Sequence, residues 1–168
     1  MRIFISAGEA SGDLHAAALT REILSLAPDA EVFGMGGDAL RSAGGEVILI
    51  IKTTASWALL RSSGNYQTCS APGCFRQVMV ERKPDIFVTV DYPDFNMRVA
   101  KSAKQLGIPV FSFIPPSAWA WRRGRAKMVA RLAARVACIY PFAYEVYKEA
   151  GAPVEFVGNP LVDIVNLR

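Results

Sequence analysis

Much is missing from this sequence. It has a single histidine and only three cysteines in 168 residues. Three thiols supply no disulfide framework, and "CSAPGC" has neither the spacing nor the partners of a zinc site. No apolar run approaches the ~20 residues of a membrane span, and the longest, "EVILII", is strand-sized. The opening "MRIFISAGEASGD" is too short in its apolar part, and acidic too early, for a secretory signal, so a reducing cytoplasm is the expected setting. Neither an internal repeat nor a low-complexity linker is present. G-x-G-x-x-G is absent, and no nucleic-acid motif accompanies the basic residues.

What remains is globular: 52% hydrophobic and 20% charged residues exclude disorder. A net charge of +4 favours anionic partners such as phosphate, nucleic acid or anionic lipid. Strand-like runs "RIFIS", "EVFGMGG", "EVILII", "KPDIFVTV", "IPVFSFI", "ACIY" and "VEFVG" alternate with helical segments. The first helix, "LHAAALTREILSLAP", places Leu19, Ile23 and Leu26 on one stripe and stops at Pro28. The strands are continuously apolar, so both their faces must be covered. The fold class is α/β, a doubly wound, mostly parallel, Rossmann-like sheet. One domain is expected over 1–157, with "GNPLVDIVNLR" (158–168) beginning a linker.

Ligands of such sheets bind outside the carboxyl ends of the strands. Four loops there carry candidate chemistry. "GEASGD" sets Gly8, Ser11 and Gly12 at a helix entry, where free N–H groups favour an anion. Glu9 and Asp13 add negative charge where a pyrophosphate would lie, which argues against a dinucleotide cofactor. The bland reading is a tight turn with Ser11 or Asp13 as N-cap. His15 follows in the first helical turn, either solvated or facing a ligand. "GMGGD" permits close backbone approach or simply makes a turn. "VDYPDFN" puts Asp91 at the end of a strand, where a carboxylate could take a proton from a substrate hydroxyl. Asp94 opens the next helix and reads as its N-cap. "PPSAWAWRRGR" combines Trp119 and Trp121, which can stack on sugars, with Arg122, Arg123 and Arg125, which can bind phosphate. Two core tryptophans and a solvated helix face are the alternative. Lys127, Arg131 and Arg135 extend a basic helix towards anionic headgroups or nucleic acid.

Together "AGEASGDLHAA", "KPDIFVTVDYPDFN", "PPSAWAWR" and "FVGNPLVD" resemble the lipid-A-disaccharide synthase family, in its order and spacing. The resemblance implies the acceptor-side half of a two-domain GT-B glycosyltransferase, whose nucleotide-sugar-binding half lies downstream. It implies transfer of a diacylglucosamine from UDP to a diacylglucosamine 1-phosphate, with a β-1,6 linkage, inversion and UDP release. No metal or other cofactor is implied. Asp91 matches the motif aspartate expected to act as base, and Gly8, Ser11, Gly12, Asp13, Trp121 and Arg122 match residues lining the cleft. Asn159 stands where the family's "GHPLxD" has histidine, so no role of that histidine carries over. A peripheral place on the cytoplasmic side of the inner membrane is implied, without nucleic acid, and a homodimer is open for the full-length enzyme. This half alone is expected to be inactive. A non-catalytic module that binds anionic ligands remains the alternative, and nucleic-acid binding through the basic helix a third.

One stretch fits none of this. "TTASWALLRSSGNYQTCSAPGC" (53–74) has Arg61 as its only charge and does not align with the family as protein. Read one base earlier, it does. Trp57 followed by Ala58 then forces a glycine codon, and Asn65 followed by Tyr66 forces leucine, at the family's interval. We expect a frame slip near Lys52, restored near Cys74; a divergent or disordered loop of ~20 residues is the alternative.

Overall fold

The computed structural model describes residues 1–50, 72–116, 123–160 and 162. Among the described residues seven strands form one sheet: β1 (Arg2–Ala7), β2 (Glu31–Gly36), β3 (Glu46–Ile50), β4 (Ile86–Val90), β5 (Val110–Phe113), β6 (Arg135–Cys138) and β7 (Val154–Phe156). Their order is β3-β2-β1-β4-β5-β6-β7, and every pairing is parallel. The described helices are α1 (Ala10–Leu26), α2 (Asp38–Ser42), α3 (Pro72–Arg82), α4 (Pro93–Gln105), α5 (Arg123–Leu132) and α6 (Pro141–Glu149). The chain starts at β1, winds outward to β3, and returns to set β4 on β1's other side. The winding therefore reverses between β1 and β4, the point of such sheets where a crevice is expected outside the carboxyl ends of the strands.

Period-two geometry divides the apolar runs between two layers. Ile3, Ile5 and Ala7 of β1 join Val88, Val90, Ala16 of α1 and Leu40 of α2 on one face. Phe4 points the other way, with its ring centroid 5.3 Å from Phe33, 5.5 Å from Phe75 and 5.3 Å from Phe87. Val78 and Met79 of α3 and Val99, Ala100 and Ala103 of α4 close that layer. A third cluster, around Val129, Val136, Cys138 and Tyr147, fastens α5 and α6 to β6. Truncating Phe4 would cost about 3–5 kcal/mol, the usual range for a fully buried aromatic ring.

Several expectations shift. α1 begins at Ala10, so Ser11, Gly12 and Asp13 lie in its first turn. Glu9 takes the N-cap position without a side-chain cap bond, so neither Ser11 nor Asp13 is the cap. Leu19 and Ile23 pack on the core as expected, but Leu26 is 86% exposed because the helix ends there. α3 was not legible as a helix, being masked by the aberrant composition before it. Its Phe75 is fully buried, so from that residue on the chain meets the core in register. Residues 53–71 of the anomalous stretch lie outside the described residues. Cys74 is disulfide-bonded, which three cysteines permit without building a framework. Among the described residues no helix is long and apolar enough to cross a membrane, and no cluster of potential ligands could hold a metal.

Candidate functional site

The crevice at the β1/β4 reversal is built by very short connections. Gly8 follows β1 directly and Asp91 follows β4. A Cβ placed on Gly8 would fall 2.1 Å from Cδ1 of Tyr92, so only glycine lets the two loops touch. A Cβ on Gly12 would meet the Val90 carbonyl oxygen at 3.6 Å, an ordinary contact. The neighbours of Asp91 on either side are thus packed against Gly8 and the first turn of α1. The sequence reading placed Gly8, Gly12 and Asp91 at one site, and the structure brings them together there. Ser11 is exposed at the same helix entry.

Asp91 and Tyr92 both have left-handed backbone, with φ of 46° and 48°. Ile114, at the end of neighbouring β5, has φ of 54°. Left-handed backbone costs a β-branched residue roughly 1–2 kcal/mol, and such strain concentrates at functional sites. The Asp91 N–H donates to the Ile114 carbonyl at 3.3 Å, and the Ile114 N–H to that of Ala137 at 3.1 Å. The tips of β4, β5 and β6 are thereby tied into one rim.

Asp91 is half-buried. Burial raises its pKa, while the Tyr92 backbone N–H and the His15 side chain pull it down. Burial lowers the pKa of His15, and the Asp91 carboxylate opposes that shift. His15 is half-buried, with its ring edge-on to Phe113, at the end of β5, at 6.4 Å. A carboxylate with raised affinity for protons is suited to accept one from an alcohol.

Asp13 has a different task. It is 6% exposed, and its Oδ1 accepts the Gly37 N–H at 2.7 Å and the Leu40 N–H at 3.2 Å. Oδ2 accepts the Ala39 N–H at 3.0 Å. The carboxylate thus caps α2 and couples the "GEASGD" and "GMGGD" loops. Asp94 is not the N-cap of α4 either, since Tyr92 fills that position ahead of Pro93; it pairs instead with Arg125 at 2.7 Å. Trp119, Trp121 and Arg122 lie outside the described residues. The beginning of their loop is anchored, with the Tyr147 hydroxyl donating to the Pro116 carbonyl at 2.6 Å. Asn159 follows β7, and its carbonyl accepts the Val162 N–H at 3.0 Å.

Sequence reasoning missed Asn96 in α4. Fully buried, it accepts the Ser6 hydroxyl proton at 2.6 Å and donates to the carbonyls of Asp91 at 2.7 Å and Ser6 at 3.2 Å. Its signal was an asparagine one helical turn after the strand end, in a face otherwise made of Val99, Ala100 and Ala103.

A family described as lipid-A-disaccharide synthetase matches residues 3–168. Lipid-A-disaccharide synthase of Geobacter sulfurreducens is 45% identical over 165 residues, covering 98% of this chain and 43% of that protein. The enzyme of the same name from Geobacter metallireducens is 43% identical over 166 residues, with the same coverage. The chain thus spans less than half the length of these relatives. Among solved structures, the UDP-GlcNAc 2-epimerase of Neisseria meningitidis superimposes with a TM-score of 0.70 at 13% identity, over 99% of this chain and 48% of that one. MurG of Acinetobacter baumannii gives 0.60 at 15% identity, over 95% of this chain and 45% of its own. The sheet described above corresponds to one half of each.

Proposed function

Since the chain belongs to the lipid-A-disaccharide synthase family, we propose that it is the acceptor-side half of an inverting glycosyltransferase. The donor is a UDP-activated 2,3-diacylglucosamine and the acceptor 2,3-diacylglucosamine 1-phosphate. Asp91 takes the proton of the acceptor 6-hydroxyl as its oxygen attacks the anomeric carbon from the face opposite the diphosphate. The bond to UDP breaks, a β-1,6 linkage forms, and the configuration inverts in one displacement. The observation that carries this reading is the half-buried Asp91 carboxyl at the reversal of the sheet, flanked by Gly8 and the open start of α1.

Gly8, Ser11 and Gly12 form the wall against which the acceptor lies, and Asp13 holds that wall in shape through α2. Trp121 and Arg122 are assigned to the same acceptor, to stack on its sugar and meet its phosphate. The departing diphosphate needs its own donors, and these belong to a second half reached through 158–168. No metal enters this scheme. Arg98, Lys101 and Lys104 of α4 and Lys127 and Arg131 of α5, with Arg135 at the start of β6, are exposed, and through them the protein meets the anionic inner surface of the membrane. Co-sedimentation with phosphatidylglycerol vesicles, falling with added salt, is the outcome this surface predicts.

The test joins this chain to the remaining half of the Geobacter sulfurreducens enzyme and measures UDP release with both lipid substrates. The hybrid should turn over, Asp91→Asn should lose about two orders of magnitude or more, and the 168 residues alone should release no UDP. An Asp91→Asn hybrid as fast as its parent would make this crevice a binding module instead.

A further inference from the structure

We propose that Asn96, oriented by Ser6, is the positioning residue that aims the Asp91 carboxyl into the crevice, acting through the backbone of Asp91. The proposal rests on Asp91 being the base, and deepens that reading.

Asn96 sits in the first turns of α4, fully buried, below the β1/β4 reversal. The closest bond that it donates, 2.7 Å, goes from Nδ2 to the carbonyl of Asp91. The same NH2 group reaches the Ser6 carbonyl at 3.2 Å and the Val90 carbonyl at 3.4 Å. Its Oδ1 is fixed by the Ser6 hydroxyl at 2.6 Å, which settles which end of the amide faces the strands. The Asn96 backbone N–H also donates to the Tyr92 carbonyl at 3.0 Å. One residue thus holds the peptides on both sides of the left-handed pair Asp91–Tyr92.

That pair needs holding. A non-glycine residue at positive φ reverts to extended or right-handed backbone unless its surroundings over-determine it. Reversion would swing the Cα–Cβ bond of Asp91 away from the crevice and from His15. From the other side the Asp91 N–H donates to the Ile114 carbonyl at 3.3 Å and the Tyr92 ring packs against Gly8 and Phe95, but neither contact holds the Asp91 carbonyl. A buried asparagine serving only the core would satisfy its polar atoms anywhere in the layer; this one converges on the strand tip that carries the acid.

His15 gives a direct reading, because it is the only histidine and Asp91 is the charged side chain that raises its pKa. Its imidazole can be titrated by proton NMR in this chain as it stands. Asp91→Asn should lower the His15 midpoint by removing the carboxylate, which sets the scale. Asn96→Ala should move the midpoint most of the way to that value while circular dichroism reports a folded protein. In the hybrid with the relative's second half, Asn96→Ala should lower kcat by about a hundredfold with little change in KM, as expected for a misaimed base. If Asn96→Ala does not fold, Ser6→Ala decides, since it leaves Oδ1 without its donor and should shift His15 in the same direction. A His15 midpoint and a kcat that both stay at the parent values overturn the proposal. Should Asn96→Ala move His15 while Asp91→Asn leaves the hybrid fully active, the positioning role stands and the assignment of Asp91 as base falls.

Discussion

Replacing Asp13 by alanine tests the structural reading of the "GEASGD" loop most sharply. The carboxylate accepts N–H groups from Gly37, Ala39 and Leu40 at 2.7, 3.0 and 3.2 Å. Hydrogen bonds to a charged group contribute about 1.5–3 kcal/mol each when their partner is stranded, and less where water can substitute. Two of these bonds are partly buried and the third, to Leu40, is buried. Counting about 1 kcal/mol for each of the first two and about 2 for the last gives a loss of about 4 kcal/mol. That is a large share of the ~5–15 kcal/mol that holds a domain of this kind together. Urea unfolding followed by circular dichroism should show the midpoint falling by about 2 M at an unchanged slope. Asp13→Asn keeps an oxygen for Gly37 and Leu40 but turns an NH2 group towards the Ala39 N–H, and should lose about half as much. A loss below about 1 kcal/mol for the alanine variant would refute the reasoning, since the three donors would then be satisfied by other means. The carboxylate would in that case be free for a ligand.

Three other outcomes follow from the same structure. Asp91 binds its proton more tightly in the folded chain than its ordinary value of 3.8, so between 3.8 and the raised value the folded state holds more protons. Stability contributed by Asp91 is present below pH 3.8 and is lost as pH rises through the folded value; Asp91→Asn should therefore be the more stable protein at neutral pH and lose that advantage in acid. Urea melts across pH check this, and an asparagine variant less stable at pH 7 would contradict the burial of the charge. Gly12→Ala meets only ordinary contacts and gains helix propensity, so it should leave stability unchanged or raise it by up to about 1 kcal/mol; a loss of binding without a loss of stability would place the acceptor directly over Gly12. Resequencing the coding DNA should reveal a missing or extra base near the codons for Lys52 and Cys74, and a stop codon in the shifted frame would dispose of that idea.

The sheet was legible because its strands are uninterrupted apolar runs, a pattern that both-sided burial demands and a solvated hairpin forbids. Asp91 was legible for the same reason, as the first polar residue after "IFVTV". The start of α1 was not, since glycine, serine and aspartate read locally as a turn, while in the fold the aspartate is already helical and bonded to residues 24–27 positions away. Such a long-range cap leaves no local spacing to find. Asn96 was hidden likewise, because its partners lie 90 residues earlier, on β1, and five residues before it, at the tip of β4. α3 was obscured because the stretch just before it, with Arg61 as its only charge, offers no periodicity to extend.

The contact between Gly8 and Tyr92 has an evolutionary corollary. With no room between a Cβ at position 8 and the tyrosine ring, position 8 cannot grow while that ring stays in place. A lineage that enlarges the first must shrink or redirect the second beforehand or in the same step, whereas the second can shrink unaided, so the order of changes is fixed.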